Sequence, residues 1–408
     1  MQSTSLLQSR RKKKKTPEDE FDPSSPFPFD ELSQDLLERV LSWLPVSSFL
    51  RLRSVCRRWN SVASSASFLI ACSRIPHRNP WFLMVDHELN HSVVYDASEG
   101  NWKNLLHPSV VNQSHQPGRI AVAASGGLVC FRDASAGYTI CNLVTGAGRH
   151  LPAAPTAHPL RAIAMFSSLH KDSYKVAILS GESSHLCFRI FNSENNHWED
   201  EVSLSRKAGN SPDTDTVSGG EAVYFLSKSG ELLATNMQRN PSKEFSSVVT
   251  AEDGEETVYF LGHSGTVISC NLTRSVFHEY PRLLPIFSEY SIDVVVCKGE
   301  MMVVVLSEFL ETASLRVWRF SKGRGVWEQV AAMPPAMSHE FYGKRADINC
   351  AGCGDVIFVC LSCSGYSNYV MLNVVKDEWI ELPKPLVKGK PMEFVSALCF
   401  EPRLETSV

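Results

Sequence analysis

The chain has 408 residues, 43% of them hydrophobic and 21% charged, which describes a soluble globular protein of two domains, one small and one large. Mean hydropathy is -0.11, and the longest apolar stretch, IDVVVCKGEMMVVVL, is broken by Lys298, Gly299 and Glu300, so neither half reaches the ~20 residues of a membrane-spanning helix. The net charge of -4 hides an asymmetry: Arg10, Arg11 and Lys12 to Lys15 face no acid within residues 1–15, the remainder carries -10, and a nucleic-acid-binding body is not expected.

Met1 to Ser9 is polar and short and does not read as a secretory signal, so a reducing compartment is expected. Twelve cysteines scattered through strand-like segments fit that compartment as small buried apolar groups. The sequons at Asn112 and Asn271 then carry no meaning. Residues 1–28 join the RRKKKK run to TPEDEFDPSSPFPF, a mixture too poor in apolar residues to offset its ordering entropy, and a disordered tail is expected. The basic run reads equally as a nuclear import signal, a polyanion contact or a solvated tail.

From Phe29 the character changes. Leu36, Leu37, Val40, Leu41 and Leu44 recur at helical spacing, with Ser33 as N-cap and Pro45 as the stop. After Ser47 and Ser48 a second stretch places Phe49, Leu52, Val55, Cys56, Trp59 and Val62 at the same spacing, with Arg51, Arg53, Arg57 and Arg58 facing elsewhere. Three short helices over residues 29–72 make a unit too small to be comfortable alone, and its surplus apolar face needs a partner.

Residues 75–402 read as all-β. Short runs such as WFLMV, GLVCF, YKVAIL, AVYFL, TVYFL and VIFVCL alternate with Gly, Ser, Asn and Asp clusters. A looser repeat runs through them: VVYDASEGNWKNL, YTICNLVTGAGRHLP, FRIFNSENNHWEDE, VISCNLTRSVFHEYP, WRFSKGRGVWEQVAAMP and MLNVVKDEWIELP. Trp102 and Trp198 stand 96 positions apart, and Trp327 and Trp379 stand 52 apart, the ~50-residue period of a propeller whose four-stranded blades are stable only when stacked in a ring. Six blades are expected, with seven as the alternative if AVYFL and TVYFL in the poorly fitting stretch 200–290 belong to different blades. EFVSALCF, residues 393–400, reads as an extra strand able to pair with the first blade.

The segment FDELSQDLLERVLSWLPVSSFLRLRSVCRRWNSVASSASFL resembles the F-box of plant F-box/kelch proteins, in register at Leu36, Leu37, Val40, Leu41, Leu44, Pro45, Leu52, Val55, Cys56, Arg57 and Trp59. Ser33 stands where that family usually has Pro. The second half resembles the same family more loosely, through GGLVCF with YTICN, FRIFNSENNHW and WEQVAAMP. The resemblance implies a small all-α F-box followed by an all-β kelch-like propeller, a substrate receptor of a Skp1-cullin-F-box ubiquitin ligase. Leu32, Leu36, Leu37, Val40, Leu41, Leu44, Pro45, Leu52, Val55, Cys56 and Trp59 would meet a Skp1-like adaptor, and through it cullin and its RING subunit. The propeller would hold an unknown protein substrate.

Cys350-x-x-Cys353 followed by Cys360-x-x-Cys363 is the sharpest rival signal, since paired thiols of this spacing can hold zinc. In VIFVCLSC the strand period sends Cys360 and Cys363 to opposite faces, so no zinc is expected there. His185, His197, His263 and His278 read as surface or satisfied core histidines, and Asp213 and Asp215 lack the rest of a calcium loop. No GxSxG, GxGxxG or GxxxxGK[ST] motif is present. The expectation is a non-catalytic receptor without cofactor, metal, membrane or direct nucleic-acid partner, in nucleus and cytoplasm. The alternative is an adaptor-bound transcriptional or scaffolding cofactor that triggers no degradation.

Overall fold

The computed structural model describes residues 32–86, 92–105, 120–133, 135–155, 158–167, 173–182, 185–207, 224–226, 232–234, 247–252, 254–262, 265–283, 290–309, 311–363, 366–387, 390–391 and 394–408. The basic run, Asp213, Asp215 and His263 lie outside them.

The N-terminal unit is helical. Helix α1 spans Gln34–Ser42, with the Ser33 side chain accepting the Leu36 N–H. Pro45 then opens α2, Val46–Leu52. Where one long second helix was expected, extended backbone at Cys56 breaks it: its Sγ accepts the Trp59 N–H at 3.4 Å and starts α3, Arg57–Val62. Extended backbone at Ser65 starts α4, Ala66–Ser73. Four described helices thus stand where three were expected, because polar caps interrupt the apolar periodicity. Leu37, Leu41, Phe49, Val62, Phe68 and Cys72 form their core, with the Phe49 and Phe68 rings stacked at 4.7 Å.

The rest is a six-bladed propeller. Five blades run from inner to outer strand in chain order, beginning at Ile120–Ser125, Leu160–Ser167, Ser247–Glu252, Tyr290–Cys297 and Asp347–Cys353. Blade one is composite. Its outer three strands, Trp81–Asp86, Ser92–Asp96 and Asn101–Leu105, come from the start of the domain, and its inner strand, Phe394–Phe400, from the end. The expected closing strand is therefore real: it runs antiparallel to Trp81–Asp86, so neither terminal sheet edge is left open. TVYFL lies in blade four, within Glu255–Leu261. In AVYFL, Tyr224–Leu226 pairs with Leu232–Ala234 as a separate hairpin, so no seventh blade arises.

Each blade has two buried faces, which is why its strands read as nearly continuous apolar runs. In Leu128–Arg132, Leu128 and Cys130 join the core shared with blade three, while Val129 and Phe131 join the core shared with blade one. Six such cores fill all six interfaces around the ring. The loose repeat is the hairpin of the third and fourth strands. Its polar residue caps the turn: Asp96, Asn142, Asn192, Asn271 and Asn373 each accept backbone N–H groups two or three residues on.

Candidate functional site

Helix α1 carries two apolar stripes. Leu37 and Leu41, expected to face a partner, are only 1% and 2% exposed and belong to the helical unit's own core. Leu36, Val40 and Trp43 form the outer stripe, at 53%, 53% and 68% exposure, and Val55 and Ile70 are also exposed. Five exposed large apolar side chains on so small a unit are more apolar surface than water favours. Of the remaining expected contacts, Leu44, Leu52 and Trp59 are half-buried against the core, and Leu32 is half-buried with its carbonyl accepting from Arg58 at 2.5 Å. Pro45 and Cys56 are exposed at the starts of α2 and α3. Trp43 and Ile70 were missed. Trp43 follows Leu36 and Val40 at i+7, which helical spacing alone could have flagged.

Three arginines of this unit bond within the chain: Arg51 to Glu99, Arg53 to the Asn60 side chain and Arg58 to the Leu32 carbonyl. Glu99, in a turn of blade one, accepts from Arg51 at 2.6 Å, Ser47 at 2.8 Å, Ser48 at 3.0 Å and Lys103 at 2.7 Å. Burial alone would raise the Glu99 pKa, but bonds from Lys103, Ser47 and Ser48 outweigh it and hold the carboxyl below its usual range. Arg78 donates to the carbonyls of Ser42 and Leu44. From the other end of the chain, the buried Arg403 donates to the carbonyls of Ile75 and Pro76 and pairs with Glu401 at 2.6 Å and Glu405 at 3.0 Å. Leu404 packs on the helical core itself. Asn142 of blade two holds this last segment by donating to the Arg403 and Thr406 carbonyls, both at 2.9 Å.

These contacts fix which end of the propeller the helices occupy. Glu99, Asn142 and Gly126, whose carbonyl accepts the Glu401 N–H, all lie in tight turns that open on one face of the ring. The links from the outer strand of one blade to the inner strand of the next leave from the opposite face. Among the described residues that far face carries the connection 333–346, with its helical turns Pro335–Ser338 and His339–Phe341. There Tyr342 is 41% exposed, its ring stacked on His339 at 6.3 Å.

The inner strands surround a central channel of about 320 Å³ lined largely by small side chains, among them Ala124, Ser125, Ser167, Ala251, Gly352 and Ala397. A Cβ at Gly352 would lie 2.2 Å from the Val296 carbonyl, so blades five and six approach closely because that residue is glycine. Glu256 is the one carboxylate among the described lining residues. The two CxxC pairs do not assemble. Cys350 and Cys363 pack toward blade five, whereas Cys360 packs toward blade one, and burial pushes the Cys360 thiol far up. His185 and His197 are exposed, and His278 packs edge-on to Tyr280 at 5.1 Å.

Comparison with known proteins matches residues 29–71 to the F-box domain and residues 94–338 to the KIB1-4 beta-propeller. The chain is 45% identical to F-box only protein 13 of Arabidopsis thaliana, over 94% of this chain and 87% of that protein. It is 27% identical to F-box only protein 6 of the same plant, over 87% of this chain and 69% of that one. An Arabidopsis thaliana F-box/kelch-repeat protein is 26% identical, over 92% and 89%.

Proposed function

The chain belongs to the plant F-box proteins that carry a KIB1-4 β-propeller, and from that membership we propose that it is the substrate receptor of a Skp1-cullin-F-box ubiquitin ligase. One observation carries the reading. All six blade interfaces are filled with apolar side chains, yet the F-box keeps Leu36, Val40, Trp43, Val55 and Ile70 in water. A Skp1-like adaptor covering that stripe would remove the surface that the fold leaves open, in the manner of a helix face docking into a groove.

The substrate is a protein held on the propeller face opposite the F-box, where the connections between blades give a binding surface room to vary on a rigid frame. The receptor performs no bond chemistry on this reading. It raises the effective concentration of the target near a ubiquitin-charged enzyme brought by cullin and its RING subunit. It needs no cofactor for this, and it acts in nucleus and cytoplasm. Among the described residues no helix is long and apolar enough to cross a membrane.

Reconstitution with a Skp1-like adaptor, cullin, RING subunit and ubiquitin-charging enzymes tests the proposal. Adaptor capture by the full chain and ubiquitination of a propeller-bound protein are expected. Full capture without ubiquitination of any propeller-bound protein would favour the non-degradative cofactor.

A further inference from the structure

We propose that His158, Cys187 and Glu201 form a Zn²⁺ site on blade three, at the rim of the face opposite the F-box. An imidazole nitrogen, the Cys187 Sγ and a carboxylate oxygen lie within 4.8 Å of one another. Zinc bonds of about 2.0–2.3 Å hold their donor atoms within ~4 Å of each other, so small side-chain rotations complete the set.

Three separate segments deliver these donors, and each is pinned. His158 sits in the link from blade two to blade three, which the Gly181 N–H ties down by donating to the Pro159 carbonyl at 2.9 Å. Cys187 lies in the strand His185–Asn192, between Ser180 and Ser203 of its two neighbouring strands. Glu201 is held on both sides, by the Glu199 N–H on the Ile190 carbonyl at 2.7 Å and the Leu204 N–H on the Leu186 carbonyl at 2.8 Å.

The donor chemistry selects the ion. Calcium and magnesium want oxygen alone, whereas nitrogen, thiolate and carboxylate together suit zinc, and one thiolate with one carboxylate neutralises its two charges. Ser180 stands behind the thiol: Cys187 Sγ donates to its carbonyl at 3.4 Å, and its Oγ lies 3.2 Å from the sulfur, within reach to donate once a metal has displaced the thiol proton. Arg189 competes for Glu201 only at 3.9 Å. Cys187 is buried while His158 and Glu201 are exposed, so the fourth coordination position faces solvent, open to water or to a donor from a bound protein. The donors are spread from residue 158 to residue 201 with no CxxC or HxxxH spacing, which is why no motif marks them.

Titrating the metal-free full chain with Co²⁺ under thiol-reducing conditions tests the site. One equivalent should bind with thiolate-to-cobalt charge-transfer absorption, and Zn²⁺ should displace it. Cys187→Ser should abolish the charge-transfer band, while Cys353→Ser should keep it. His158→Ala and Glu201→Gln, both at exposed positions, should each weaken binding at least tenfold with unchanged circular dichroism. Absence of a thiolate-cobalt band, its survival in Cys187→Ser, or unchanged affinity in His158→Ala would overturn the proposal.

Discussion

Trp102 of blade one donates its indole N–H to the carbonyl of Pro383, 281 positions later in the chain, at 2.5 Å. Its ring also meets Tyr369 of blade six edge-on at 5.2 Å. The same link recurs at every second interface: Trp198 of blade three donates to Pro152 at 2.9 Å, and Trp327 of blade five to Pro281 at 2.8 Å. The Trp of one hairpin and the Leu-Pro or Tyr-Pro step of the preceding one are thus two halves of a single contact between neighbouring blades, which gives the loose sequence repeat its physical meaning.

Trp102→Phe should keep most of the apolar contact and lose the N–H, leaving the Pro383 carbonyl without that donor. A cost of about 1–2 kcal/mol follows, seen as a melting temperature lowered by a few degrees. Trp379→Phe is the control, because the Trp379 indole N–H makes no hydrogen bond among the described residues. Equal losses in the two variants would refute a role for the Trp102 hydrogen bond in holding the ring closed.

Truncation before Met392 should be far more damaging. It removes the strand Phe394–Phe400, exposes the edge of Trp81–Asp86, and takes away the Arg403 and Leu404 contacts with the linker and the F-box. Aggregation and loss of a cooperative melt are expected. A soluble monomer that melts like the full chain would show that the ring closes without its last strand.

The propeller was legible in the sequence because its repeat encodes local chemistry: a polar cap at the hairpin turn, a Trp, a Pro step. The count of six and the closing strand followed from that period. The helical unit was legible as helices but not as faces, since Leu36 and Leu37 sit side by side and spacing alone cannot say which stripe of α1 turns inward. That is decided by Phe49 and Phe68, which cover Leu37 and Leu41. The seating of the F-box on the propeller was not legible at all. Glu99, Arg78 and Arg403 carry no motif, and their partners lie tens to hundreds of positions away.

That seating predicts acid sensitivity. Asp96 is fully buried, where desolvation would raise its pKa, but bonds from Lys103, Ser98 and Ser47 prevail and bring it down to about 2 from its ordinary 3.8. A carboxyl depressed on folding contributes stability that is fully present above its unfolded pKa and is lost as pH falls through the folded one. About 2 kcal/mol should therefore disappear between ~pH 4 and ~pH 2. Glu99, lowered for the same reasons, adds to the loss with the same sign. Asp96→Asn should flatten this part of the denaturant-measured stability profile. An unchanged profile in the variant would show that Asp96 is not the titrating group.

The two stripes of α1 give the sharpest test of the adaptor face. Val40 and Trp43 are exposed and contribute little to folding, whereas Leu37 and Leu41 are core residues. Val40→Asp combined with Trp43→Ala places a charge and a gap in the proposed contact, where an aromatic anchor at an interface centre is worth ~2 kcal/mol or more. At ~1.4 kcal/mol per factor of ten, adaptor affinity should fall at least tenfold, with melting temperature and substrate capture unchanged. Leu37→Ala should do the reverse first, costing about 2–5 kcal/mol of F-box stability through the cavity it leaves, with adaptor binding lost only as the helices loosen. Leu44 and Pro45 stand between these cases. Leu44 packs half-buried on the core and its carbonyl accepts from Arg78, so changing both residues to Ala should weaken adaptor binding and also lower the melting temperature. Measuring adaptor affinity and thermal melting on all three variants separates the effects. Undiminished adaptor binding by the Val40→Asp, Trp43→Ala double variant would move the contact off the outer stripe of α1.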